Sequence, residues 1–162
     1  MEMFTNWGKS VYHELEDGDY AGVIVNAKLT LSKNGNEMLL FELDIAEGPY
    51  KNHFQKKYEQ GEKAFWGLVF YQLTRGKAQY FFEQAIAVIE QSNPNYDFEK
   101  TGFNEKTLIG KSVGMHIKNI TNVGSNGKSY PGFEVRLKPL SEINPLTEMV
   151  DISVVNEPDL PF

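Results

Sequence analysis

Between residues 21 and 45 the sequence alternates with a period that commits the chain to extended structure. Ala21, Val23, Val25, Ala27, Leu29 and Leu31 alternate with Gly22, Ile24, Asn26, Lys28 and Thr30. Leu39, Phe41, Leu43 and Ile45 alternate in turn with Leu40, Glu42 and Asp44. A period of two sends successive side chains to opposite faces, so each run predicts a long, half-buried strand. Between the runs stands Ser32-Lys33-Asn34-Gly35-Asn36, and Asn-Gly there is a strong hairpin signal because both residues of a tight turn need positive φ.

The remaining chain supplies a third strand, a further extended or irregular piece, a helix and a closing hairpin. His53 to Tyr58 reads as a third strand, and Phe65 to Leu73 as a fourth extended or irregular piece. From Lys77 to Gln91 the period changes, with Tyr80, Phe81, Ala85, Val88 and Ile89 three or four residues apart, which predicts a helix stopped at Asn93-Pro94. Tyr96 to Leu108 reads as a loop with a short helical turn. Residues 111 to 138 alternate again around Gly124-Ser125-Asn126-Gly127 and form a C-terminal hairpin. The fold class is therefore mainly β: a five-stranded antiparallel barrel of the OB type, its main helix between strands three and four. An antiparallel sandwich with the helix on one face predicts the same string of elements. Residues 1–140 make the folded body, and 141–162, aperiodic and interrupted by Pro145, Pro158 and Pro161, a disordered tail.

Charge divides along the same line. The net charge is −6, but all 16 Lys and Arg lie before residue 141, against 17 of the 22 acids; the other five acids are in the tail. Within the body, Lys51, Lys56, Lys57, Lys63, Arg75 and Lys77 face only Glu59 and Glu62 between residues 51 and 80, a local excess able to accept a phosphate backbone. There is no cysteine, hence no disulfide or thiolate metal site. Met1 to Asp17 lacks the pattern of a signal peptide and no stretch has the length of a membrane span, so a cytoplasmic protein without membrane contact is expected.

Nothing in the sequence assembles into a reaction centre. His13, His53 and His116 lack zinc spacing, and the glycines near 110 to 127 do not precede a helix as a phosphate loop would. Glu42 and Asp44 fall on the polar phase of the second strand, where a solvated face is the default. No catalytic residue, metal or cofactor is expected. The informative stretch interleaves rings with cations, as proteins that hold single strands do by stacking bases over a charged track. Its candidate contacts are Lys28, His53, Lys56, Lys57, Tyr58, Lys63, Trp66, Tyr71 and Arg75.

The last residues read Asp159-Leu160-Pro161-Phe162 after an acidic run. A terminal ring, a stiffening proline and nearby acids suit capture by a basic, apolar pocket. This ending resembles the Asp-Ile-Pro-Phe tip of bacterial and phage single-stranded DNA-binding proteins, with Leu160 in place of isoleucine. Phe81-Phe82 through Ile89-Glu90-Gln91-Ser92-Asn93-Pro94, then Leu108-Ile109-Gly110-Lys111, is similar to a phage-encoded group of such proteins. The resemblance implies non-sequence-specific binding of single-stranded DNA during replication, recombination or repair. It also implies recruitment of partner enzymes through Asp159, Leu160, Pro161 and Phe162, and a homo-oligomer that is a dimer rather than a tetramer. The competing readings are a strand-annealing or recombination mediator, and an assembly module whose aromatics are all core.

Overall fold

The protein is described as a computed structural model over residues 15–61 and 66–143. Five strands, β1 (Gly18–Leu31), β2 (Glu37–Ile45), β3 (Val69–Leu73), β4 (Ser112–Val123) and β5 (Ser129–Lys138), form one antiparallel sheet in the order β3-β2-β1-β4-β5. Helix α1 (His53–Glu59) precedes β3, and the main helix α2 (Gln79–Ser92) lies between β3 and β4, as expected. The strand order is that of an OB barrel, but β3 and β5 approach one another without pairing, so the barrel is not closed by hydrogen bonds.

The side chain of Phe54 on α1 reaches across that seam. It meets the Phe133 ring of β5 edge-on at 5.5 Å, and an added Cβ at Gly67, just before β3, would come within 2.8 Å of it. A helix thus occupies residues 53–59, where the sequence predicts a third strand; the third strand is the later piece, Val69–Leu73. Phe54 and Tyr58 are four apart, a spacing that satisfies both a period of two and a helical turn. The helix is decided from outside, by Asp44 on β2. Its Oδ1 accepts from the amide of Phe54 at 3.0 Å and Oδ2 from that of Gln55 at 3.0 Å, filling two of the donors that a helix N-terminus leaves open. Asp44, expected on a solvated face, is only 2% exposed.

A bulge in β1 accounts for a second departure. Pairing with β2 shifts register between Ile24 and Asn26, so the inward phase passes from Ile24 to Ala27 and Val25 is left out of step. The apolar alternation predicted from Ala21 to Leu31 therefore does not lie on one face: before the bulge Ile24, of the other phase, is fully buried and Val25 is 37% exposed, and from Ala27 onward the predicted phase turns inward. On β2 the expected phase holds, and Leu39, Phe41, Leu43 and Ile45 are all in the core, each contributing about 1.5–3 kcal/mol by leaving water. The β1–β2 turn closes through Ser32 and Asn36, with Gly35 left-handed at φ 81° but Asn34 not, so it is wider than the two-residue turn expected.

Helix α2 packs on the sheet through Ala85, Ile86 and Ile89. Asn93 ties its end to β4, donating to the carbonyls of Ile89 (2.8 Å) and Ser112 (2.7 Å) and accepting from the Ser112 amide (3.0 Å). Two 3-10 turns, Glu99–Thr101 and Glu105–Leu108, fill the loop before β4. After β5 the chain makes a further turn, Leu140–Glu142, and buries Ile143 over Gly114, so packed structure continues past residue 140. Among the described residues no helix is long and apolar enough to cross a membrane.

Candidate functional site

The registers of β1, β2 and β3 line up their outward side chains in rows. Lys28 pairs with Leu40 and Leu40 with Tyr71; on one side lies the row Thr30, Met38, Leu73, and on the other Asn26, Glu42, Val69. Residues directly opposite in an antiparallel pair share a face, so an exposed cation and a ring 55% exposed flank Leu40 on the same surface. The neighbouring Phe70 points the other way and stacks on Phe41 at 5.9 Å. Pairing thus separates two adjacent aromatics into one core ring and one surface ring.

Where β3 ends, the surface turns into a cleft of about 640 Å³ lined by Leu31, Gly35, Asn36, Leu73, Arg75 and Lys77. Arg75 is fixed by Glu37, Nε to Oε1 at 3.1 Å, while 78% of its side chain stays exposed. Thr74 donates to the same oxygen at 2.6 Å. This bond foremost, opposed by slight desolvation and aided by Arg75, holds the Glu37 carboxyl below its ordinary value. Leu31, Leu73 and Lys77 are absent from the sequence-predicted set. The signal for Lys77 lies in the basic run, whereas Leu31 shares the apolar phase of Ala27 and Leu29 and is exposed because it ends β1, opposite Glu37 at the start of β2.

The other predicted contacts gather on α1, at the Ile45 end of β2. Tyr58 is half exposed beside Trp66, ring centres 5.5 Å apart, and Lys56 is exposed. Trp66 is partly buried and donates its Nε1–H to the Leu43 carbonyl at 2.6 Å, so its polar edge serves the fold. His53 meets Tyr50 and Phe54 edge-on at 6.1 and 5.0 Å, and like Lys57 it is half-buried. The structure therefore brings Lys28, Tyr71 and Arg75 to the sheet face and its end, and His53, Lys56, Lys57, Tyr58 and Trp66 to α1. The nine residues of β2 separate Glu37 from Ile45, a span of roughly 26 Å. Lys63 and the tip Asp159, Leu160, Pro161 and Phe162 lie outside the described residues.

On the outer side of β1 and β4, Asp19 accepts from Lys138 at 3.0 Å and lies 2.8 Å from Nδ1 of His116. Burial pushes its carboxyl up, but the bonds to His116 and Lys138 outweigh that and hold it below its ordinary value of 3.8. A carboxyl depressed in the folded state adds stability above the unfolded value, and that stability is lost as pH falls through the folded one. Asp19→Asn is thus expected to lower the thermal midpoint at neutral pH, with the gap to the parent protein closing as pH drops below 3.8; a gap constant with pH would refute it. Among the described residues no three His, Asp or Glu side chains are grouped to hold a metal ion.

The model of one protein family, described as a protein of unknown function (DUF669), matches residues 4–142. No curated protein matches the chain.

Proposed function

The chain belongs to that family of unknown function, so its role has to be argued from its surface, and we propose that it binds single-stranded DNA without sequence preference and without chemistry. The observation that carries this reading is the row Lys28, Leu40, Tyr71 on the outer β1–β2–β3 face, continued at the β3 end by Arg75 and Lys77. An exposed ring offers a base its face, and cations at either side follow the phosphates. OB folds commonly use this same face for oligonucleotides, which is support by analogy of fold. Lys56, Lys57 and Tyr58 on α1 extend the track toward the other end of β2. The resemblance of Asp159 to Phe162 to a partner-binding tip supports a place in replication or recombination, with the tip recruiting enzymes.

The test is a titration of labelled oligothymidine at several salt concentrations, with duplex of equal length as competitor. Each phosphate neutralised contributes about −0.7 to the log–log slope, so a slope of roughly −2 to −4 is expected, and duplex should compete poorly. Lys28→Ala with Lys77→Ala should flatten that slope by about 1.4 and leave the thermal midpoint nearly unchanged, since exposed lysines add little to folding. Salt-independent binding, or equal affinity for duplex, would remove the sheet face as the site.

A further inference from the structure

A second recess, of about 690 Å³, opens between α2, the Glu37 end of the sheet and the 3-10 turns that follow the helix. Its floor is apolar: Leu29, Leu39, Phe82, Ile86, Phe98 and Phe103. Leu29 is left uncovered beyond the bulge in β1, and Phe103 is 63% exposed at the mouth. Phe103 also holds φ 58°, a conformation bulky residues rarely adopt; its amide donates to the Phe98 carbonyl at 3.3 Å and its ring meets that of Phe98 at 5.8 Å. An exposed phenyl is thereby pinned over the opening.

The rim has one sign. Glu37, Glu83, Glu90, Glu99 and Glu105 line it against a single guanidinium, that of Arg75, which is already paired to Glu37. Glu90 is held by the Phe98 amide at 2.9 Å, whereas Glu83 accepts only from the exposed Gln79 side chain, Nε2 to Oε2 at 2.9 Å, a bond a ligand can replace; with Glu99 and Glu105 it is placed to meet one. Nucleic acid has the wrong charge for this rim, and so do residues 144–162, which carry acids and no base. An apolar floor of this volume with carboxylates around it complements an apolar anchor flanked by cations.

We propose that this recess docks a short basic segment of a partner protein, one aliphatic or aromatic side chain seated on the floor and its flanking Lys or Arg on the rim. The recess borders the cleft at the β3 end and shares Glu37 and Arg75 with it, but Glu83, Glu99 and Glu105 line the recess alone. In the test, the full chain is titrated into a labelled hexapeptide, Lys-Leu-Phe-Lys-Lys-Leu, with an all-lysine hexapeptide and Glu-Leu-Phe-Glu-Glu-Leu as controls. The first probe should bind about tenfold or more tighter than either control and weaken with salt. The combined change Glu83→Gln, Glu99→Gln and Glu105→Gln should weaken it about tenfold while oligothymidine affinity and the thermal midpoint hold. Phe103→Ala should weaken it with the salt dependence unchanged. Equal binding of the all-lysine peptide, or indifference to the triple change, overturns the proposal. So does self-association in sedimentation that the triple change abolishes, because the occupant would then be a second copy of this chain.

Discussion

Asp44→Ala is expected to lower the stability of the fold by about 2–4 kcal/mol, read as a shift of the urea midpoint with an unchanged slope. The carboxylate is buried and accepts three amides, those of Ile45 at 2.8 Å and of Phe54 and Gln55 at 3.0 Å each. Removing it strands the buried amides of Ile45 and Phe54, and a buried unpaired donor costs more than a made bond gains. The damage does not stop at α1. With its first turn released, Phe54 loses its position against Phe133, and the seam between β3 and β5 loses its filling. Asp44→Asn should fall between the two, because the amide can still accept at one atom but presents a donor at the other. A loss below about 1 kcal/mol for alanine would mean that Phe54 and Trp66 hold the helix without the carboxylate.

Tyr71→Ala is expected to weaken binding of oligothymidine by about 1–3 kcal/mol, roughly 5- to 150-fold, since that is what one base stacked on one ring contributes. The ring is more than half exposed and its neighbours in the row are Leu40 and Lys28, so the same change should cost little stability. Tyr71→Phe keeps the face and should keep most of the affinity. The salt slope should stay where it was, because no cation has been removed. Affinity unchanged in the alanine variant would exclude Tyr71 as a stacking platform and move attention to Tyr58 on α1.

What was legible in the sequence was whatever a single strand or helix decides for itself. The alternation of Leu39, Phe41, Leu43 and Ile45 is a property of one element, and it gives the core face of β2 correctly. The same holds for α2, whose stop at Asn93-Pro94 is written locally. Features decided between elements were not legible. The segment His53 to Tyr58 becomes a helix through a carboxylate on β2, ten residues before the amide that it meets. In β1, Ile24 and Val25 are equally apolar and β-branched, so nothing local says which one the bulge discards. The candidate site divides in the same way. Phe70 and Tyr71 are adjacent in sequence, and their opposite fates follow from pairing with Phe41 and Leu40 across to β2. Arg75 was legible as a cation, but its anchor on Glu37 joins the turn after β3 to the first residue of β2.

The order of pairing along the sheet also governs how the chain can reach this state. β1 pairs β2, β2 pairs β3 and β4 pairs β5, all neighbours in sequence, each of which can zip after closing a modest loop. The remaining ladder, Gly18–Val23 against Ser112–Ile117, joins partners some ninety residues apart and carries nearly all the loop-closure entropy of the sheet. With β3 and β5 unpaired, that ladder is, among the described residues, the one strand pairing between the sheet's two halves. The meander β1-β2-β3 and the hairpin β4-β5 can thus form separately, and the kinetic barrier to the native state falls on six residue pairs in the first half of β1.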